Sequence, residues 1–179
     1  LVLANGTTPD KGALYLGNGV TYSALWGKTT RFAGHLKELG VEMIFWRVAM
    51  KPGKPVAFWM FDGKPAFSLP GNPVSSMITF EQFVRPSLLK MMGHRQIFRP
   101  VIEAVLKEEI RKEPGKRHFI RAKVSFENDG YFVTTTGPQG SGILRSMVKA
   151  NGLIIIPEDR EMVKAGEKVK VQLLNSSEL

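Results

Sequence analysis

Lys51 and Lys54 bracket a turn in Lys51-Pro-Gly-Lys-Pro55, and two ammonium groups fixed around such a turn can hold a phosphate or another oxyanion. Proline fixes φ and removes an amide donor, while glycine permits a sharp bend and a close backbone approach, so the loop is rigid and shaped. A second loop of the same make, Leu69-Pro-Gly-Asn-Pro73, leads into Val74-Ser-Ser-Met-Ile-Thr-Phe80. Here Asn72 reads as a helix N-cap and Pro73 as the first helical residue. That sets Ser75 and Ser76 beside a helix N-terminus, where backbone amides favour anions. Taken singly, each loop reads equally as an ordinary Pro/Gly turn with its polar groups in solvent. Their succession at the ends of hydrophobic strands, where α/β proteins bind ligands, favours the functional reading.

The elements that must position these loops fall into two modules, residues 1–93 and 94–179, with 1–30 left unassigned. Arg31 to Leu39 has apolar residues at helical spacing and stops at Gly40, as a glycine-capped helix does. Val41 to Met50 reads as a buried strand. Pro55 to Phe61 and Lys64 to Leu69 flank Asp62-Gly63, a dipeptide favoured in tight hairpins. Pro73 to about Met92 reads as one long helix with a kink or break near Arg85, because Pro86 lies inside it, and Gly93 ends it. Beyond His94 the pattern turns to short strands: Val101 to Ile110, Phe119 to Phe126, Tyr131 to Thr136, Leu153 to Ile156 and Lys168 to Leu174. Asn128-Asp129-Gly130 supplies a turn, and the second module reads as a small all-β barrel or sandwich.

With 43% hydrophobic and 23% charged residues and no apolar run of membrane-spanning length, the chain has the make-up of a globular protein without a helical membrane span. It has no cysteine, which rules out disulfides and thiolate chemistry and fits a cytoplasmic location. His35, His94 and His118 lie far apart and show no metal-ligand spacing, so no protein-built metal site is expected. A net charge of +9 implies anionic partners, whether nucleotide, oxyanion or polynucleotide.

The run Phe45-Trp-Arg-Val-Ala-Met-Lys-Pro-Gly-Lys-Pro55, then Gly63-Lys-Pro-Ala-Phe-Ser-Leu-Pro-Gly-Asn-Pro-Val-Ser75, then Phe83-Val-Arg-Pro86 resembles the molybdopterin molybdotransferase family of molybdenum cofactor biosynthesis. Three later segments fit the same family's C-terminal domain: Pro114-Gly-Lys-Arg-His-Phe-Ile-Arg-Ala122, Gly140-Ser-Gly-Ile-Leu-Arg-Ser-Met147 and Ala150-Asn-Gly-Leu-Ile-Ile-Ile-Pro157. The resemblance implies a partial three-layer α/β molybdopterin-binding domain followed by a β-barrel domain. It implies insertion of molybdate into adenylylated molybdopterin with release of AMP in the presence of Mg2+, by a homodimer. Under it Lys51 and Lys54 contact oxyanion, Pro70, Asn72 and Pro73 shape the second loop, and Ser75 donates to the ligand. Lys116, Arg121 and Ser141 contribute from the barrel, Lys116 standing where the family commonly has arginine. A solvated strand face is an equally good reading of the barrel's basic residues.

The chain also departs from the family. The Thr/Ser-Gly-Gly-Val-Ser loop expected upstream, with its acidic residue, is missing; Asn5 to Pro9, Leu16 to Gly19 and Gly27 to Thr30 read as turns instead. Asp62, Asp129 and Glu158-Asp159 are the nearest carboxylates for Mg2+, all in turns, and no catalytic residue is assigned. The chain is therefore expected to be a fragment that does not turn over alone. Two rivals remain: a non-catalytic scaffold on the same fold, and a basic nucleic-acid-binding barrel. Against the latter, the chain carries no nucleic-acid motif, and Ile120, Ala122, Val124 and Phe126 alternate as core residues do. Large apolar residues at consecutive positions, Met43 to Trp46 and Phe58 to Phe61, make both strand faces apolar, and a face left uncovered would drive self-association.

Overall fold

The computed structural model describes residues 40–175, together with the backbone of two strands, β1 (Lys11–Leu16) and β2 (Val20–Leu25). These strands run antiparallel, Leu16 opposite Val20, within the stretch that the sequence left unassigned. The helix expected over 31–39 and the turns at 5–9 and 27–30 lie outside the described residues. Gly40 itself takes φ 74°, the left-handed value of a capping glycine. The chain divides into two compact units, residues 1–48 with 53–85 and residues 49–52 with 86–179. No helix among the described residues is long and apolar enough to cross a membrane.

In the first unit β3 (Val41–Trp46), β5 (Ala57–Phe61) and β6 (Lys64–Ser68) form an antiparallel sheet with β5 in the middle. The β5–β6 connection is the tight turn expected from Asp62-Gly63, with φ of 48° and 68° and Phe61 opposite Lys64. Strand β3 is shorter and less buried than its composition implied. It is an edge strand with a register shift between Met43 and Phe45, and Glu42, Met43 and Ile44 are exposed. The two sheet faces differ. Phe58 stacks on Phe67 at 4.8 Å and meets Phe45 at 5.7 Å, and Phe45 in turn meets Phe83 of the helix at 5.9 Å. On the other face Val41, Ala57, Trp59 and Ala66 form a buried cluster. Trp59 is only 6% exposed, so this face is covered within the chain and is not the open surface from which self-association was argued.

The helical stretch is interrupted up to Arg85, the break expected from Pro86, and the interruption is a π turn. It runs as α1 (Pro73–Thr79), a π turn (Phe80–Val84) and α2 (Arg85–Met91). Proline at 86 has no amide to donate and its ring crowds the carbonyl four residues back; widening the preceding turn to an i→i−5 bond, Arg85 N–H to Phe80 O, absorbs both effects. The helix ends at Gly93, φ 79°, where His94 N–H reaches Leu89 O and Gly93 N–H reaches Lys90 O, the paired bonds of a Schellman cap.

The second unit contains a closed five-stranded barrel. Its order is β10 (Gly130–Thr135), β7 (Val101–Leu106), β13 (Lys168–Leu173), β11 (Gly152–Ile156) and β9 (Arg117–Glu127), and β9 closes the ring onto β10. Inward-facing Ala104, Leu106, Ile120, Ala122, Val124, Val133, Ile154 and Val171 fill it. Phe126 is not among them: β9 outruns the barrel there, and the ring is 55% exposed and packs edge-on against Tyr131. Closure removes the unpaired edges that an open sheet of this size would present. Asn128 and Asp129, at φ 47° and 62°, form the β9–β10 turn. Three elements carry no clear sequence signal: β8 (Ile110–Arg111) paired with β12 (Met162–Val163), and helix α3 (Leu144–Val148). A fourth is the two-residue strand β4 (Met50–Lys51), which pairs in parallel with Arg117 and His118 on the edge of β9 that β10 leaves open.

Candidate functional site

In the first unit the loop Leu69 to Pro73 is tied onto the helix it precedes. Asn72 has the extended backbone of an N-cap residue and Pro73 occupies the first helical turn, as expected. The side chain of Asn72 makes no capping hydrogen bond, however; Ser76 locks the loop instead, its Oγ donating to Pro70 O and its N–H to Asn72 O. Ser75 is buried at the helix start, and its carbonyl accepts from Thr79 Oγ1 at 2.8 Å. Lys54 is exposed, and its carbonyl accepts from Val48 N–H at 3.0 Å, which fixes the base of the first loop.

In the second unit β4 carries Lys51 to the barrel, with Lys51 directly opposite His118 in the ladder. Lys116 stands two residues before His118. Lys51 is exposed and Lys116 half-buried, and neither ammonium group has an ion pair or hydrogen bond among the described residues. Lys112 differs: its Nζ donates to the carbonyls of Lys116, Glu113 and Glu158, at 3.0, 3.3 and 3.3 Å, and so holds the loop in place. Arg117 is paired with Glu158 at 3.2 Å.

His118 is 8% exposed and its Nε2 has no hydrogen-bond partner. Burial, with Lys112, Lys51 and Lys116 nearby, holds the imidazole down at about 4 and keeps it neutral. An unfolded histidine titrates near 6.5, so the folded chain binds fewer protons between these values, and this contribution is complete above about 6.5 and lost as pH falls toward 4. His118→Gln should therefore flatten the acid limb of a stability-against-pH curve by about 1–2 kcal/mol, measured by urea unfolding at several pH values. An unchanged acid limb would mean that His118 titrates as in the unfolded chain.

Arg121 departs furthest from a solvated strand face, being 1% exposed. It points to the outside of the barrel, beside Leu153 on β11, and the segment from Thr136 to Asn151 covers it. Its Nε donates to Ser146 Oγ and its Nη2 to Gly140 O, each at 3.0 Å. Its main chain is held as well: Arg121 N–H donates to Gln139 Oε1 at 2.9 Å, and Arg121 O accepts from Gln139 Nε2 and Thr136 N–H. Burial pulls the guanidinium below its ordinary value. Arg121 thus grips the loop that carries half-buried Ser141, where the sequence placed both residues directly on a ligand. Lys112, His118, Gln139 and Ser146 were not singled out for the site. Pairing of Lys51 with His118 depends on a short parallel ladder between distant segments, which leaves no local pattern.

Among the described residues no group of three His, Cys, Asp or Glu side chains could hold a metal ion, and Asp62, Asp129 and Glu158 sit in separate turns or ion pairs. Lys51 and Lys116 make this edge of the barrel basic, which suits an oxyanion.

Two family descriptions match in order along the chain: a probable molybdopterin binding domain over residues 17–90 and the MoeA C-terminal region (domain IV) over residues 103–174. The chain belongs to the molybdopterin molybdenumtransferase family. Among family members, molybdopterin molybdenumtransferase 2 of Mycobacterium tuberculosis is 42% identical over 132 residues, covering 74% of this chain and 32% of the relative. The Haemophilus influenzae molybdopterin molybdenumtransferase is 35% identical over 142 residues, covering 78% and 35%. A solved molybdopterin biosynthesis MoeA protein from Pyrococcus horikosii superposes with a TM-score of 0.63 at 33% identity, over 80% of this chain and 34% of that one. The chain thus spans about a third of the length of these family members. The fold follows the family: a molybdopterin-binding domain and a five-stranded closed barrel.

Proposed function

We propose that this chain serves in molybdenum cofactor biosynthesis, as the part of a molybdopterin molybdenumtransferase that holds oxyanion groups of adenylylated molybdopterin and molybdate while molybdate is inserted and AMP released. The observation that carries the proposal is the succession of the two family domains along the chain. In this reading Lys51, Lys54 and Lys116 neutralise oxyanion charge, Pro70, Asn72 and Pro73 shape the second loop, Ser75 and Ser141 donate hydrogen bonds, and Arg121 fixes the loop that carries Ser141. Mg2+, where it accompanied the substrate phosphates, would supply positive charge beside the adenylyl group. The described residues offer no carboxylate cluster for it. Cytoplasmic location and homodimer formation belong to the same proposal. Self-association would draw on exposed Met43 and Ile44 of edge strand β3, not on buried Trp59.

Molybdate titration tests it. Lys51→Ala and Lys54→Ala alter exposed side chains, so circular dichroism should be unchanged, while each variant should bind molybdate roughly tenfold more weakly, the loss of one charge-assisted hydrogen bond of about 1.5–3 kcal/mol. Variants that bind as the parent does would move the oxyanion site elsewhere. A parent chain that binds neither molybdate nor adenylylated molybdopterin would favour the scaffold reading.

A further inference from the structure

One cluster on the barrel unit combines features that the assignment of Lys51 and Lys116 as oxyanion contacts does not use. Parallel pairing of β4 with β9 sets Lys51 and His118 side by side on one face of the ladder, and Lys116, two residues earlier in the chain, joins them. Both ammonium groups are unpaired among the described residues, and near them is a buried imidazole whose Nε2 has no partner. Two unpaired ammonium groups beside a neutral ring leave room for an anion. Lys112 is already committed to three carbonyls, and Glu113, the acidic side chain that acts on His118, is exposed and has no ion pair. Glu158 is engaged by Arg117. The cluster therefore has surplus positive charge at Lys51 and Lys116 and an uncharged, unsatisfied ring beneath them.

We propose that Lys51, Lys116 and His118 form a proton-coupled site for a doubly charged tetrahedral oxyanion, in which His118 takes up one proton as the anion settles between the two ammonium groups. The proton comes from the buffer and adds to the ring nitrogen that carries none, turning imidazole into imidazolium; no other bond is made or broken. Without an anion, loss of hydration and then the nearby lysines favour the neutral ring. An anion close by reverses the balance, because an opposite charge within about 4–6 Å raises an imidazole by roughly 1–2 units. His118 need not touch the ligand, and acts by supplying a third positive charge once the ligand is present. The inference rests on the proposed function only in taking Lys51 and Lys116 as oxyanion contacts.

Sulfate is the probe, since it stays doubly ionised throughout the range tested. Calorimetric titration of the 179-residue chain is run at pH 5, 6 and 7 in pairs of buffers that differ in ionisation enthalpy. Binding should be roughly tenfold tighter at pH 5 than at pH 7, with about half a proton or more taken up per anion at pH 5. His118→Gln should abolish the pH dependence and the proton uptake; His118→Asn is the second variant should glutamine disturb the fold, and the parent's own proton count decides independently of either. Lys51→Ala combined with Lys116→Ala should abolish both binding and uptake. Sulfate binding without proton uptake would overturn the role of His118 and leave the lysines standing. Failure of the parent to bind sulfate at all, or binding unchanged in the double lysine variant, would overturn the oxyanion reading of Lys51 and Lys116 and this inference with it.

Discussion

Asn151→Ala is expected to destabilise the barrel by about 2–4 kcal/mol, out of proportion to the few atoms removed. Asn151 is 3% exposed, and its side chain does the work of a strand residue: Oδ1 accepts from Val124 N–H at 2.7 Å and Nδ2 donates to Val124 O at 3.0 Å. Its own main chain continues the pattern, with N–H on Ala122 O and the carbonyl accepting from Leu174 N–H. Alanine would leave the amide and carbonyl of Val124 buried and unpaired, at about 1–3 kcal/mol each before relaxation. The next residue has no freedom to compensate, because a Cβ on Gly152 would stand 2.8 Å from Val171 Cγ1 and 3.0 Å from Val124 Cγ2. Amide hydrogen exchange in β9 and β11, with urea unfolding followed in parallel, reads the loss in the barrel itself. A change under about 1 kcal/mol would mean that the two Val124 groups find other partners.

Arg121→Leu should cost about 2–3 kcal/mol and loosen the loop from Thr136 to Asn151. Two hydrogen bonds from a charged donor are lost, each contributing about 1.5–3 kcal/mol, and relief from burying a guanidinium that has no carboxylate partner among the described residues offsets part of this. Faster exchange should be confined to the covering segment, at the amides of Ser146 and Lys149, and molybdate affinity should fall with it if Ser141 is a ligand contact. Arg121→Lys should recover little, since one ammonium group cannot span Ser146 and Gly140 as the planar fork does. Unchanged exchange at both amides in the leucine variant would show that the loop holds itself.

Features set by neighbouring residues were readable in the sequence. Asp62-Gly63 and Asn128-Asp129 adopt the left-handed pairs that tight hairpins require, Gly93 caps its helix, and the alternation of Ile120, Ala122 and Val124 marked the barrel interior. Features that depend on a distant partner were not. Arg121 looks like any outward strand cation until the covering loop is in place, and β4 is too short for any periodicity. Helix α3 begins at Ile143, which is no capping residue. Proline at 86 signalled a disturbance correctly, but whether a helix kinks or takes up an extra residue depends on the carbonyl geometry one turn back. The motif Asn151-Gly152 was recognised by likeness alone, and its reason, a side chain completing a β-ladder beside a position too crowded for any Cβ, lies in β9 and β13.

The chain leaves the first unit at Val48, spends residues 49–52 in the second, returns at Gly53 and departs again after Arg85. Strand β4 is the whole of that first visit. No single cut can therefore yield both units whole. A piece beginning at Pro86 would contain every strand of the closed ring yet lack Met50 and Lys51, leaving Arg117 and His118 at a bare edge; a piece ending at Arg85 would carry those two residues away from the ladder they complete. Sequence changes in the Pro-Gly turn would be felt in the barrel's edge, and changes around His118 in the placement of Lys51. The two units are interleaved along one chain, so neither can be replaced by exchanging a single continuous segment.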